Sequence, residues 1–150
     1  MSRTESVELT TLCMIHRGEE LLLQNRVKTD WRGYCFPGGH VEYKESFTEA
    51  VIREVWEETG LTVENPVLCG TKQFQTLSGA RYVVFFYKAS KFHGALQSSA
   101  EGEVYWLPRA ELAKQKLAPD MMEMVQVMES PTLSEFYYRK VDGNWKLTLY

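Results

Sequence analysis

Three acidic residues at helical spacing are the feature of this chain best suited to chemistry. Glu54, Glu57 and Glu58 lie three and four positions apart, so on an α-helix their carboxylates face one side. Like charges at this spacing repel one another by roughly 0.2–0.5 kcal/mol per pair, and Arg53 is the one basic residue beside them. Carboxylate oxygens select hard cations such as Mg²⁺ or Mn²⁺. The pattern therefore predicts a divalent metal site.

The acids belong to a longer pattern that begins at a glycine. The run from Gly39 to Leu61 fits GX5EX7REUXEEXGU, in which U is apolar, at every fixed position. An ordinary amphipathic helix would explain an ion pair of Arg53 with Glu49 or Glu57, but it would not explain the glycine spacing. The chain thus resembles the Nudix hydrolase family through nine constrained positions. These are Gly39, Glu45, Arg53, Glu54, Val55, Glu57, Glu58, Gly60 and Leu61.

The resemblance implies an activity and a set of metal ligands. Nudix enzymes hydrolyse a nucleoside diphosphate linked to another group, by attack of water on phosphorus with the help of a divalent metal. Such chemistry needs charge neutralisation on the phosphate oxygens and an oriented water. The family's ligands fall on Glu54, Glu57 and Glu58, with the carbonyl oxygen of Gly38 or Gly39 completing the shell.

Other residues receive supporting roles from the same resemblance. Arg53 is expected to orient the acids, and Glu45 to tie the loop to the helix end by hydrogen bonds. A further acid from outside the motif commonly joins the site, and Glu101 is a better candidate than Glu103 because it precedes the predicted strand at Val104. The general base stays open among four carboxylates, those of Glu54, Glu57, Glu58 and Glu101.

Substrate contacts are predicted on both sides of the motif. Arg26 is expected to meet phosphate, since guanidinium groups pair bidentately with phosphate oxygens. The backbone of Gly38 and Gly39 is placed beside the same groups. Trp31 and Asp120 are candidate base contacts, because an aromatic face stacks on a base and a carboxylate reads its edge. For Asp120, capping of the following helix is the competing interpretation.

Looser features resemble the MutT-type subgroup, which converts oxidised nucleotides such as 8-oxo-dGTP to the monophosphate and pyrophosphate. They are FPGGHVE before the helix, EGEVYW after it and the APDMM segment. The alternatives are another diphosphate substrate, such as ADP-ribose, a dinucleoside polyphosphate or capped RNA, or a nucleotide sensor without catalysis. ADP-ribose hydrolases typically carry a proline beyond the motif, and none occurs between Val67 and Leu107.

Local signals place the elements that must position these residues. Ser46 and Glu49 form an S-x-x-E capping box and Gly60 suits a helix end, so the helix should run from Phe47 to Thr59. Three hairpins are predicted, together with a strand at Val104–Trp106 and helices at 109–116 and 119–129. The hairpins are Val7–His16 with Leu21–Leu23, Pro66–Thr76 with Arg81–Phe92, and Phe136–Tyr150 around Asp142-Gly143. His40–Glu42 is expected to resume pairing. The elements give α/β or α+β, and the resemblance implies an α/β/α sandwich with a mixed sheet.

Length and composition bound the remaining possibilities. The 150 residues predict a single domain over 1–150. Glu5 and Glu8 interrupt the apolar run that a signal peptide needs, so a cytoplasmic enzyme is expected. The longest apolar stretch, Tyr82–Tyr87, is too short to cross a membrane. A net charge of −3 without a basic stripe argues against binding long nucleic acid. The expected partner is a small nucleotide, and the protein is expected to be a monomer or a homodimer.

The cysteines predict no disulfide framework. Cys13, Cys35 and Cys69 are odd in number and widely spaced, and no paired Cys or His spacing indicates zinc. All three are interpreted as reduced thiols of the core.

Overall fold

A mixed β-sheet between two helices forms the framework of the protein in its computed structural model, which describes residues 2–150. Two α-helices, one 3₁₀ helix and ten strands are found in that range. The strands are β1 Val7–Arg17, β2 Glu20–Arg26, β3 Gly33–Cys35, β4 Leu61–Glu64, β5 Val67–Gln75, β6 Arg81–Ala89, β7 Lys91–Gly94, β8 Gly102–Pro108, β9 Glu135–Val141 and β10 Asn144–Leu149. The helices are α1 Phe47–Thr59, the 3₁₀ helix Arg109–Lys114 and α2 Met121–Glu129.

The main sheet has eight strands in the order β10-β9-β5-β6-β1-β2-β3, with β8 pairing on β2. The β1–β6 and β5–β9 pairs are parallel, and the other pairs of this sheet are antiparallel. Strands β4 and β7 form a separate two-stranded sheet beside it. The sheet is therefore mixed, as expected for this class.

Alternation along β1 divides the interior into two cores. Leu12 and Met14 join a core with the buried methionines of α2, whereas Cys13 and Ile15 join a second core with Val51 of α1. Successive side chains of a strand point to opposite faces, so each helix covers one face of the sheet. The predicted α/β/α sandwich of the α+β class is confirmed.

The helix that carries the acids has the predicted bounds because both of its ends are encoded locally. The Ser46 hydroxyl accepts from the Glu49 amide at 3.0 Å, and the Glu49 carboxylate accepts from the Ser46 amide at 2.9 Å. Gly60 ends the helix in the left-handed region, with φ 75°, and its amide donates to the Trp56 carbonyl. A residue without Cβ suits that conformation. The three hairpins are also confirmed.

Three sequence predictions of elements were wrong in extent or kind. Strand β6 ends at Ala89 rather than Phe92, and a separate strand, β7, begins after Ser90 and pairs with β4. Both β4 and β7 have only four residues, too few to give a periodic signal. The segment predicted as a helix over 109–116 is a 3₁₀ helix, and the one predicted over 119–129 starts at Met121. The predicted pairing at His40–Glu42 is found as an isolated antiparallel bridge between His40 and Thr10 and a hydrogen bond from the Val41 amide to the Leu9 carbonyl at 2.9 Å. In the described range no helix is long and apolar enough to span a membrane.

Candidate active site

Arg53 is the hub that positions the acidic residues of α1. Its Nε and Nη2 donate to the two carboxylate oxygens of Glu45 at 2.7 and 3.0 Å. Nη1 donates to Glu54 at 2.9 Å and to Glu57 at 3.2 Å, and Nη2 also reaches the His40 carbonyl at 3.0 Å. One guanidinium therefore joins the helix to the loop before it, and Glu57, with 48% of its side chain exposed, is the more solvated of its two partners on α1.

Glu45 fastens the loop at the start of the helix. Besides accepting from Arg53, its carboxylate accepts from the backbone amide of Glu42 at 2.9 Å. The hydrogen bonds from Arg53 hold the pKa of Glu45 below its ordinary value. A charge-assisted bidentate pair of this kind fixes geometry as well as adding stability, so Glu45 connects the loop to α1 through Arg53.

The double glycine is required by close contacts. A Cβ on Gly38 would lie 2.0 Å from the backbone oxygen of Thr11, and a Cβ on Gly39 would lie 2.4 Å from the carboxyl carbon of Glu54. Neither glycine has a positive φ, so the lack of space for a side chain, and not the backbone conformation, requires glycine here. The Thr11 amide donates to the Gly39 carbonyl at 2.8 Å, which holds the loop against β1 and Glu54 against the loop.

Glu58 is a buried carboxylate with one donor. It is 5% exposed, and its Oε2 accepts from the Gly38 amide at 3.1 Å. Burial raises the pKa of Glu58 to about 8, and the negative charges of Glu54 and Glu101 add to this effect. Burial is also the main cause of a raised pKa at Glu54. A desolvated anion beside other anions is an environment that a bound cation would relieve.

Glu101 lies in the turn before β8, and it is the residue for which a place in the site was predicted from outside the motif. It forms ion pairs with Lys28 at 2.7 Å and with Arg26 at 3.6 Å. Its charge also reaches Glu58, whose pKa it raises. Glu103 is exposed, as anticipated. The structure thus brings Glu101, and not Glu103, toward the acids of α1.

Oxygen donors suited to a hard cation are present, although their side chains are held by protein donors. Within residues 2–150 no three His, Cys, Asp or Glu side chains converge tightly enough to hold a metal ion. The charges of Glu54, Glu58 and Glu101 nevertheless act on one another. In that range the Gly38 carbonyl oxygen accepts no hydrogen bond, whereas that of Gly39 accepts from β1. These all-oxygen donors fit Mg²⁺ or Mn²⁺, and Gly38 is the better carbonyl ligand of the two.

A cavity of about 350 Å³ adjoins the double glycine. Gly38, Gly39 and Arg26 line one part of it, and Trp31 and Phe74 provide aromatic walls. The Trp31 indole donates to the Pro119 carbonyl at 2.9 Å, which fixes the ring. Aromatic walls offer stacking surfaces to a planar ring, and the volume lies in the range typical of small-molecule sites.

Asp120 lies beside this cavity and not among its lining residues. It precedes α2 with φ 66° and ψ 14°, and its side chain makes no capping hydrogen bond, so the competing interpretation as a helix cap was wrong. Burial, together with the negative charge of Asp120, raises the pKa of Tyr138. The charge of Asp120 also acts on Lys72, which lines the cavity.

Sequence reasoning singled out none of the four buried polar residues that line the cavity, Thr10, Thr11, Gln24 and Lys72. Lys72 on β5 and Gln24 on β2 both line it. The signal for Lys72 was its place two residues before Phe74, which puts both side chains on the same face of the strand. Gln24 follows three buried leucines and gave no signal. The cysteines are free, and Cys69 is only partly buried rather than in the core.

The chain is similar to known proteins both in sequence and in structure. The family model described as "NUDIX domain" matches residues 8–128. The crystal structure of the Mutator MutT protein from Bacillus halodurans is similar with a TM-score of 0.75 and 30% identity, over 95% of this chain and 97% of that one. The human 8-oxo-dGDP phosphatase NUDT18 is 31% identical over 115 residues, which are 73% of this chain and 34% of that protein. The Escherichia coli CTP pyrophosphohydrolase is 29% identical over 114 residues, 75% of this chain and 84% of that enzyme.

Proposed function

The chain belongs to the Nudix hydrolase family, an enzyme family acting on nucleotide derivatives, and we propose that it hydrolyses an oxidised deoxynucleoside triphosphate such as 8-oxo-dGTP. The products would be the nucleoside monophosphate and pyrophosphate. The observation that carries the proposal is the junction at Gly38 and Gly39. The carboxylates of Glu54 and Glu58 contact this dipeptide. The same dipeptide lines the aromatic-walled cavity, so it connects the acids to the cavity.

This arrangement assigns the base and the phosphates of the substrate to different parts of the site. The cavity would take the base, and the phosphates would lie over the glycine backbone toward the acids. Arg26 lines the cavity and pairs with Glu101, so its guanidinium stands where a bidentate phosphate partner is useful. Trp31 would stack on the base, and Asp120 would read its edge.

Glu54, Glu58 and Glu101 would hold the metal, with the Gly38 carbonyl and with Glu57 after it leaves Arg53. When bound, Mg²⁺ or Mn²⁺ would supply charge neutralisation on the phosphate oxygens and acidify a bound water. Arg53 keeps Glu54 and Glu57 on one side of the helix, and Glu45 keeps Arg53 in place. One of the four carboxylates would take the proton of the attacking water.

The relatives support a nucleotide substrate and offer two base classes. NUDT18 is named for 8-oxo-dGDP, and this chain spans about a third of its length, so that activity enters here only as a proposal. The Escherichia coli enzyme is named for CTP, which makes a cytidine nucleotide the second candidate. ADP-ribose, dinucleoside polyphosphates and capped RNA complete the set of alternatives, together with nucleotide sensing without turnover.

A substrate panel tests the proposal. Purified protein with Mg²⁺ is assayed for kcat/KM on 8-oxo-dGTP, dGTP, CTP, ADP-ribose and a dinucleoside polyphosphate. We expect pyrophosphate release from 8-oxo-dGTP at least tenfold above dGTP, a difference of about 1.4 kcal/mol in transition-state stabilisation. Glu57→Gln should lower the rate by about a hundredfold or more. Glu49→Gln is the matched control, because glutamine also suits that position of a capping box.

The outcomes separate the candidates. Binding of these nucleotides without hydrolysis would point to a sensor. A preference for CTP would replace the oxidised purine by a cytidine nucleotide. Equal activity of Glu57→Gln and Glu49→Gln would remove Glu57 from the metal site.

A further inference from the structure

Lys72 is a buried cation that the protein itself does not pair. Its side chain lines the cavity and is 9% exposed. Its ammonium makes neither a hydrogen bond nor an ion pair with any residue in 2–150, although four ring centroids lie between 4.9 and 5.9 Å away. The rings are those of Trp31, Phe74, Phe136 and Tyr138. Aromatic faces attract a cation, but they leave its three N–H donors unsatisfied.

A second unpaired donor lines the same cavity. Gln24 is 1% exposed, and its amide nitrogen has no hydrogen-bond partner within residues 2–150. An unsatisfied buried donor costs about 1–3 kcal/mol, and native structures contain few of them. Within residues 2–150, Gln24 provides the one fully buried side-chain donor without a partner, and the Lys72 ammonium adds a cationic donor that no protein acceptor binds. Together they indicate that the cavity is shaped for a ligand that presents hydrogen-bond acceptors.

An acceptor stands close to these donors. The Asp120 side chain makes no capping hydrogen bond. Its negative charge raises the pKa of Lys72, whereas burial lowers it. The Trp31 and Phe74 rings border the space with flat apolar surfaces. The cavity therefore combines stacking walls, cationic and amide donors and a neighbouring carboxylate. A planar ring with a carbonyl oxygen next to an N–H group, that is a lactam, complements all of these.

We propose that Lys72 is a specificity-determining residue that donates a hydrogen bond to a ring carbonyl of the base, so that the cavity selects lactam bases over purines that carry an amino group there. This inference rests on the proposed function in placing the base in this cavity. A site that hydrogen-bonds a substrate group discriminates strongly against an analogue without it, because its own buried groups are then left unpaired. With the amino analogue, the donors of Lys72 would face another donor.

The test compares two nucleotides that differ in this feature. Hypoxanthine has a 6-carbonyl and an N1–H, whereas adenine has a 6-amino group and a bare N1. We measure kcat/KM for dITP and dATP with Mg²⁺, and calorimetric Kd values for dIMP and dAMP, which require no turnover. The wild type should favour dITP and dIMP by at least tenfold. Lys72→Met should reduce both preferences to less than threefold, chiefly by weakening the hypoxanthine nucleotide.

Controls separate recognition from folding. Lys140→Met makes the same change at an exposed position on β9, the strand beside β5, and should leave both ratios unchanged. Lys72→Met should melt at or above the wild-type temperature, because it removes an unpaired buried charge. If the methionine variant fails to fold, Lys72→Leu takes its place. A purely structural lysine would instead lower the melting temperature on substitution and leave the ratios intact.

The two proposals fail in different ways. If dITP is hydrolysed and the ratio of kcat/KM for dITP to that for dATP is the same in Lys72→Met as in the wild type, the inference is overturned and the proposed function stands. Binding of dIMP that is selective and dependent on Lys72, without hydrolysis of any nucleotide, would support the inference and overturn the proposed function. A wild-type preference for dAMP over dIMP would also overturn the inference.

Discussion

Alanine at the two neighbouring glycines should separate catalysis from stability. In Gly39→Ala the new methyl group meets the end of the Glu54 side chain, whereas in Gly38→Ala it meets the backbone of Thr11 and Leu12 in β1. A carboxylate can move away, but the backbone of a central strand cannot. We therefore expect the first variant to fold and lose activity, and the second to lose stability.

The contact distances set the magnitudes. The Glu54 carboxyl carbon would lie 2.4 Å from the added Cβ, and ordinary contact begins at 3.4 Å, so the carboxylate must retreat by about 1 Å. A misplacement of this size can cost about a hundredfold in rate. At Gly38 the backbone oxygen of Thr11 lies 2.0 Å from the added atom. Overpacking against a rigid neighbour costs about 1–3 kcal/mol, and we expect the upper end here, which lowers the melting temperature by roughly 6–12 °C.

The assay pairs thermal unfolding by circular dichroism with kcat/KM for pyrophosphate release from the best nucleotide of the panel. Gly39→Ala should melt within about 4 °C of the wild type with its activity reduced. Gly79→Ala serves as a control, since its φ is 91° with nothing within 4 Å of the added atom; it strains a turn without touching the site. Full activity in Gly39→Ala, or a melting temperature as low as that of Gly38→Ala, would refute the reasoning.

Two further predictions concern charge. Glu45→Gln should lower the free energy of unfolding at pH 7 by about 1–2 kcal/mol, because it removes the carboxylate that binds Arg53. The pKa of Glu45 is lowered in the folded protein, so its carboxylate stabilises the fold above the ordinary pKa of 4.5, and this stabilisation is lost as the pH falls through the lowered pKa. Urea unfolding should therefore show a smaller difference in the free energy of unfolding between the wild type and Glu45→Gln at pH 3 than at pH 7. The same difference at both pH values would contradict this. Mn²⁺ at a hundred times its Kd should stabilise the wild type by about 2.7 kcal/mol. A thermal-shift titration of Glu58→Gln should then give a clearly smaller effect, and equal shifts would exclude Glu58 as a ligand.

The sequence reached the helix of the site because its signals are local. Ser46, Glu49 and Gly60 mark the two ends within a span of fifteen residues, and the acids sit at fixed offsets between them. The strands of the hairpins were found for the same reason, since each pair is joined by a short turn. Pairing between β4 and β7 was missed because the partners are short and lie far apart in the chain.

The base side of the site depended on contacts between distant segments. Trp31 meets Pro119, and Lys72 meets rings from three separate parts of the chain. None of these distances follows from periodicity, so Lys72 looked like any strand lysine. The reason for the double glycine was equally hidden, because the oxygen that excludes a side chain at Gly38 belongs to Thr11 in another strand.

The ladder between β1 and β6 has a consequence for the order of folding. Val7 pairs with Arg81 and Ile15 with Ala89, so this parallel pair closes a loop of roughly seventy residues, whereas β5 and β6 are neighbours in the chain. Closing long loops is entropically costly, and non-local pairing slows folding. Since the Gly39 loop is hydrogen-bonded to β1, detachment of β1 from β6 would also disturb the loop that faces Glu54.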